Sequence, residues 1–446
     1  MTDSAAELVS AGPLAQIAAL RAGDVSSREL TVATVAAIER VNPPINAVVE
    51  MLADEALIGA DDADRRRSAG EDGPLLGVPI AIKNQHDISG HITGLGSRAM
   101  VHPAVEDDAF VALVRAAGMP MVATTTLPEL AISGYTETEA YGVTRNPYDH
   151  ERTPGGSSGG SAALVAAGGV GIASASDGAG SIRIPAACCG LPGFKPTNGS
   201  MPGAGGWFGL STIGALAARL ADVALFLDVF GTFDAPLLTA ARQDPKPLRV
   251  GVTTVGSVAT RMRPVDAKVL GAVRRAADAL ALAGHDVREV EPTYGLGAKA
   301  LTVRYLAGIR ESAGRVDDRS RLQRNTAGIA RLGRPFSPRA VNWAIRAGKT
   351  WGDSVHDELD VDVLLTPVMT GVAAPIGQFD GRGGLATVLA MNAYYPYTAQ
   401  WNHAGVPAVS MPAGTDEGGR PLAVQLIGRR HSDATLMSLA GQFERV

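Results

Sequence analysis

At 446 residues the chain is long enough for about three average domains or for one large α/β unit. Hydrophobic residues make up 46% and charged residues 19%, which excludes an intrinsically disordered chain and leaves ample material for a large core. A formal net charge of −5 creates no global field that would gather nucleic acid or an anionic membrane, so neither is expected as a partner.

The two cysteines, Cys188 and Cys189, are adjacent, which rules out the disulfide framework of a small secreted domain and fits a reducing compartment. Residues 1–16 carry Asp3 and Glu7 and lack a basic start followed by an apolar stretch. They do not read as a secretory signal, and a cytoplasmic location is expected. The longest apolar stretch, residues 208–230, is broken by Arg219, Asp222 and Asp228, so no membrane span is expected.

In chain order, Ser26-Ser27-Arg28-Glu29 matches a capping box, followed by Leu30, Val32, Val35, Ala36 and Ile38 at near-helical spacing. Residues 1–70 are therefore expected as a helical layer. After Gly73-Pro74, the apolar run 75–82 reads as a short buried strand ending at Lys83, and Pro79 marks it as an edge or irregular strand. A helix is predicted at 109–117, stopped by Gly118, then a strand at 120–124. Residues 234–247, with three prolines, read as a surface connection within one domain. Beyond it come a strand at 248–252, an amphipathic helix at 265–283 and a strand at 285–290. Further strands at 361–365, 408–411 and 423–427 precede a closing helix from about Ser432. Alternation of this kind predicts an α/β fold.

Glycine is abundant, at 53 residues, and two glycine-rich stretches stand out. The first, Thr153-Pro154-Gly155-Gly156-Ser157-Ser158-Gly159-Gly160-Ser161, runs into the small-residue helix 162–167. It lacks the lysine of a phosphate-binding loop and does not follow a clear strand, so nucleotide binding is poorly supported. Gly155-Gly156-Ser157-Ser158-Gly159 also satisfies Gly-x-Ser-x-Gly, the nucleophile elbow of an α/β-hydrolase esterase, in which Ser157 would attack and His403 or His431 would act as base. The second stretch is Ser176-Asp177-Gly178-Ala179-Gly180-Ser181-Ile182-Arg183-Ile184-Pro185. Three small residues before Ser181 expose backbone N–H groups around its hydroxyl, as an oxyanion hole requires, or else form only a tight turn. Lys83, at a strand end, is either a solvated charge or, if buried beside the serines, a neutral base.

Taken together, these segments resemble the amidase signature family of serine amidohydrolases. The resemblance runs from Gly77-Val78-Pro79-Ile80-Ala81-Ile82-Lys83 through Tyr141-Gly142-Val143-Thr144-Arg145-Asn146-Pro147 and both glycine stretches to Gly193-Phe194-Lys195-Pro196-Thr197. Weaker similarity covers almost the whole chain, including Arg219-Leu220-Ala221-Asp222 and residues 402–412. The resemblance implies a single large α/β/α domain over 1–446, its mixed central sheet covered by helices on both faces. Within it would lie the helical layer 1–70, a catalytic core at 71–233 and a pocket-shaping part at 248–446.

By position, Lys83 matches the family's catalytic lysine, Ser157 its bridging serine held in a cis peptide, and Ser181 its acylated nucleophile. The backbone of Gly178, Ala179, Gly180 and Ser181 would form the oxyanion hole, with Ser158, Asp177 and Arg183 in support. The implied reaction is hydrolysis of a small-molecule amide, linear or cyclic, with no metal or organic cofactor. Ala179 stands where the family commonly has glycine, which predicts an ordinary negative φ there. Inside the family the rival role is the glutaminase subunit of a tRNA-dependent amidotransferase. Residues 16–49 and 248–290 further resemble amidases that open cyclic oligoamides. Homodimerisation is compatible with the sequence, which carries no mark for or against it. Trp207, Phe208, Tyr305, Trp343, Tyr394, Tyr395 and Trp401 are candidates for the pocket lining, and His86 for a pocket or loop residue.

Overall fold

The computed structural model describes residues 3–203, 206–256 and 263–446; Met1 and Thr2, at the head of the stretch read for a signal, lie outside the described residues. The chain opens with helices Asp3–Ala11, Pro13–Ala22, Ser27–Ile45 and Ala53–Ser68. The capping box forms as read: the Glu29 N–H donates to Ser26 Oγ at 3.1 Å, and the Glu29 carboxylate accepts from the Ser26 N–H at 2.9 Å. The buried face of that helix runs through Leu30, Ala33, Thr34, Ala37 and Ile38, whereas Val32 is exposed. Between the third and fourth helices lies an unforeseen strand, β1 (Val48–Met51), too short to show a period-two pattern.

The α/β architecture with mixed sheets holds, and hydrogen bonding divides most of its strands into two ladders. The first has the order β1, β3 (Met121–Thr125), β2 (Ile80–Lys83), β6 (Ile172–Asp177), β8 (Thr212–Ala217). Strand β2 is parallel to both β3 and β6, and the outer pairs are antiparallel. The second has the order β10 (Asp286–Glu289), β9 (Arg249–Val252), β11 (Val363–Pro367), β13 (Pro421–Ile427), β12 (Ala408–Thr415), β7 (Gly193–Lys195). A small hairpin, β4 (Glu137–Thr138) with β5 (Gly142–Val143), stands apart.

Two expectations are corrected. Strand β2 is interior and fully buried, because Pro79 precedes the ladder instead of sitting in it; the irregularity survives as a register shift between Ile80 and Ala81. Residues 234–247 are more than a surface connection. Helix Leu237–Ala241 buries Leu237, and the Asp228 carboxylate accepts from the N–H groups of Leu237 and Leu238 at 2.7 and 2.8 Å. One apolar core runs from Val9 through Phe110, Phe226 and Val250 to Leu436, so the front and back of the chain form one domain.

Replacing Ser26 by Ala removes the hydroxyl half of the box and is expected to cost about 1 kcal/mol. The measurement is a lower denaturant midpoint at unchanged slope; an unchanged midpoint would show that the cap is not limiting.

Candidate active site

The parallel strands β2 and β6 end side by side, at Lys83 and Asp177, and the two glycine-rich stretches close over those ends. Strand alternation puts Ser174 and Ser176 on the same face of β6, and both reach Lys83. The Lys83 N–H donates to Ser174 Oγ at 2.8 Å, and Lys83 Nζ donates to Ser176 Oγ at 3.0 Å. Nζ is also hydrogen-bonded to Ser157 Oγ at 2.7 Å. Ser176 in turn donates to Gln85 Oε1 at 2.8 Å, which leaves its oxygen to accept from the lysine. Lys83 is fully buried, and desolvation pulls its pKa down to about 7, against the opposing pull of the Asp177 charge.

The Gly156–Ser157 peptide is cis, and Ser157 is buried. A Cβ on Gly156 would meet the Ser133 carbonyl oxygen at 2.6 Å, so only glycine lets the loop pass. The Ser158 N–H donates to the Ser181 carbonyl at 3.2 Å and Ser158 Oγ to the Ser176 carbonyl at 3.3 Å, which ties the two stretches together. The positive φ of the second stretch falls on Gly180, at +120°, where a Cβ would also strike Thr398 Oγ1. Ala179 is not among the residues with positive φ, as expected.

One expectation for the oxyanion hole is corrected. The Gly180 N–H already donates to Asp177 Oδ1 at 2.6 Å, so it is not free for a substrate oxygen. Among the described residues, the N–H groups of Gly178, Ala179 and Ser181 are the candidates left.

Beneath this loop lies a fully buried ion pair. Arg183 donates to both carboxylate oxygens of Asp177, from Nε at 2.9 Å and from its second terminal nitrogen at 3.0 Å. Its remaining N–H groups reach Gln425 Oε1 at 2.6 Å, Asn402 Oδ1 at 2.5 Å and the Thr398 carbonyl at 3.1 Å. The Asn402 amide donates back to the Asp177 carbonyl at 2.7 Å and to its carboxylate at 2.8 Å. The guanidinium holds the Asp177 carboxyl far below its ordinary range although burial alone would raise it.

Two cavities meet at Ser181. The inner, of about 80 Å³, is lined by Gly156, Ala179, Trp207, Tyr305, Val388 and Tyr395 among others, and among the described residues no charged side chain borders it. The outer, of about 410 Å³, contains Ser157, Ser176, Gly178 and Gln85 and has the Glu311–Arg315 ion pair at its edge. Of the aromatic candidates, Trp207, Phe208, Tyr305 and Tyr395 line a cavity. Trp343 is on the surface, Tyr394 donates to the Val372 carbonyl, and Trp401 stacks on Trp351.

The histidines lie elsewhere. His403 is bonded to the Gly297 carbonyl at 3.0 Å, with burial pushing its pKa down to about 4. His431 borders a separate cleft with Ser200 and Asp433, and His86 pairs with Asp108 at 2.8 Å and packs on Phe110. Neither His403 nor His431 borders the outer cavity, which holds Ser157, or the inner one, which removes the base of the esterase reading. Among the described residues no group of three His, Cys, Asp or Glu could hold a metal ion.

Sequence reading missed Ser176 as a partner of the lysine and Gln85 as the acceptor behind it, and Thr398, Asn402 and Gln425 as anchors of Arg183. The period of β6 could have found Ser176; nothing local points to the other four.

Comparison with known proteins follows the same lines. A family model described as Amidase matches residues 29–437. A Mycobacterium tuberculosis protein named as the amidase AmiB2 is 39% identical over 447 residues, covering 98% of this chain and 96% of its own length. The 6-aminohexanoate-cyclic-dimer hydrolase of Paenarthrobacter ureafaciens is 34% identical over 485 residues, covering 96% of this chain and 93% of its own. Among solved structures, a 6-aminohexanoate cyclic dimer hydrolase complexed with substrate superposes with a TM-score of 0.84 at 29% identity, over 97% of this chain and 96% of that one.

Arg183→Met leaves the Asp177 charge buried without its partner, so a loss of about 3–5 kcal/mol is expected, read in the denaturation midpoint. Stability within error of the parent would show that the pair does not hold the loop.

Proposed function

The chain belongs to the amidase signature family and hydrolyses carboxylic amides, and from that premise we propose a Ser181 acyl-enzyme with Lys83 and Ser157 as its proton relay. The observation that carries this reading is Lys83 itself: fully buried, drawn toward neutrality, and 2.7 Å from Ser157. Because Ser176 is committed as donor to Gln85, it can only accept from the lysine. That leaves the lone pair of neutral Lys83 to face Ser157.

Lys83 then takes the proton of Ser157 while Ser157 takes that of Ser181, and Ser181 Oγ attacks the amide carbon. The developing oxyanion is met by the N–H groups of Ala179, Ser181 and Gly178. The relay reverses as Ser157 hands its proton to the departing nitrogen, the C–N bond breaks, and water attacks the acyl-enzyme by the same route.

This assignment orients the substrate. The nitrogen must leave on the side of Ser157, which borders the outer cavity and not the inner one, so the acyl half occupies the inner cavity. Among the described residues that cavity offers no charged side chain. Glutamine would bring an α-ammonium and an α-carboxylate there on its acyl half, and unpaired buried charges are costly. The lining therefore supports a free-standing amidohydrolase acting on uncharged acyl groups over a glutaminase subunit. The two free, buried thiols Cys188 and Cys189 support a reducing compartment, the cytoplasm.

Lys83→Ala and Ser181→Ala are each expected to lower kcat by on the order of 10⁴-fold or more without unfolding the protein. The depressed pKa sets the sign of the pH dependence, since the competent base form of Lys83 is lost as pH falls. In the parent enzyme, kcat/KM should fall about tenfold per unit below about pH 7 and level off above it. Parent-like rates in a folded Ser181→Ala protein, or a profile flat from pH 5 to 9, would refute the relay.

A further inference from the structure

The outer cavity does not end at Ser157. Phe208 and Glu311 border it and also border a third cavity, a groove of about 400 Å³ on the protein surface. Its floor is apolar, made by Phe208, Ala307, Phe336, Pro338 and Val341. Phe208 comes from the short turn Gly206–Gly209, and the others from the helix Leu301–Gly314, the turn after the helix Arg324–Leu332 and the start of the helix Pro338–Glu358. The charged side chains that border the groove already have partners. Glu311 is paired with Arg315 at 2.5 Å, and Arg310 donates to the Arg334 carbonyl at 3.1 Å. The floor of the groove thus presents hydrocarbon, with the exposed Arg310 guanidinium at its border.

Its wall is fixed in place. Buried Arg304 donates twice to the Phe208 carbonyl, at 3.0 and 2.7 Å, and Trp207 Nε1 donates to Ser312 Oγ at 2.9 Å. The Phe208 side chain nevertheless stays 37% exposed. A bolted backbone that holds an aromatic ring partly in water, between a polar catalytic cavity and an apolar groove, is the arrangement of a binding surface.

We propose that this groove binds an apolar substituent on the nitrogen of the substrate, so that the enzyme's substrates are secondary amides carrying a hydrocarbon chain on the amine half. The inference rests on the reading that the amine half lies on the side of Ser157. The occupant follows from continuity: a chain on the departing nitrogen leads across the outer cavity, past Phe208, into the groove.

The test holds the acyl group constant and measures kcat/KM for N-methyl-, N-butyl- and N-octylbutanamide. Each methylene that leaves water should raise kcat/KM by between about twofold and fourfold, mainly through KM. In Phe336→Asp, shown to be folded by its melting transition, the advantage of N-octyl over N-methyl should collapse; if that variant does not fold, Phe336→Ser makes the same comparison. A flat series in the parent enzyme overturns the proposal, and so does an N-octyl advantage that survives replacement of Phe336. Ser181→Ala in the same assay separates the two levels. Persistent turnover there would indict the underlying reading, whereas a flat series with a silent Ser181→Ala protein overturns the groove alone.

Discussion

The buried pair of Asp177 and Arg183 is the constraint on which the site depends. Two full charges without solvent are tolerable only when their remaining lone pairs and protons are satisfied, and here Gln425, Asn402, Thr398 and the Gly180 N–H do so. Gly180 belongs to the loop after β6, whereas Gln425 comes from β13 and Thr398 and Asn402 from the start and middle of the helix Ala399–Ala404. The loop that carries Ser181 is therefore pinned from beneath by the far end of the chain. The same pinning engages the Gly180 N–H and leaves its neighbours to face the cavities.

The second constraint is the burial of Lys83, and it works against the first. Desolvation drives the lysine toward the neutral base, while the nearby Asp177 charge draws it back toward the cation. Arg183 neutralises that carboxylate at close range, which limits its pull on the lysine. A pKa of about 7 is the outcome. Strand β2 supplies the geometry, since an interior strand between two parallel neighbours fixes its last residue better than a loop could.

How much of this was legible in the sequence depended on range. The capping box at Ser26, the stop at Gly118 and the alternation of helices and strands are local signals, and they read correctly. The two glycine-rich stretches and Lys83 could be joined only through family resemblance, because nothing local shows that residues 74 positions apart are hydrogen-bonded. Gln425 and Asn402 stand more than 200 positions from Arg183, so the pair that pins the loop was invisible. The glycines misled at one point: Gly180 is needed for its φ and for the room beside Thr398, not as a free donor. Aromatic residues were sorted only by packing, which set Trp401 against Trp351 and Trp207 at the junction of both cavities.

The central claim is that Ser181, and not Ser157, carries the acyl group. The most direct measurement is intact-mass and peptide-mapping analysis after treatment with a fluorophosphonate. A single adduct is expected, on Ser181, that disappears in Ser181→Ala and forms more slowly when Lys83 is replaced. An adduct on Ser157, or none on a folded and active enzyme, would contradict it.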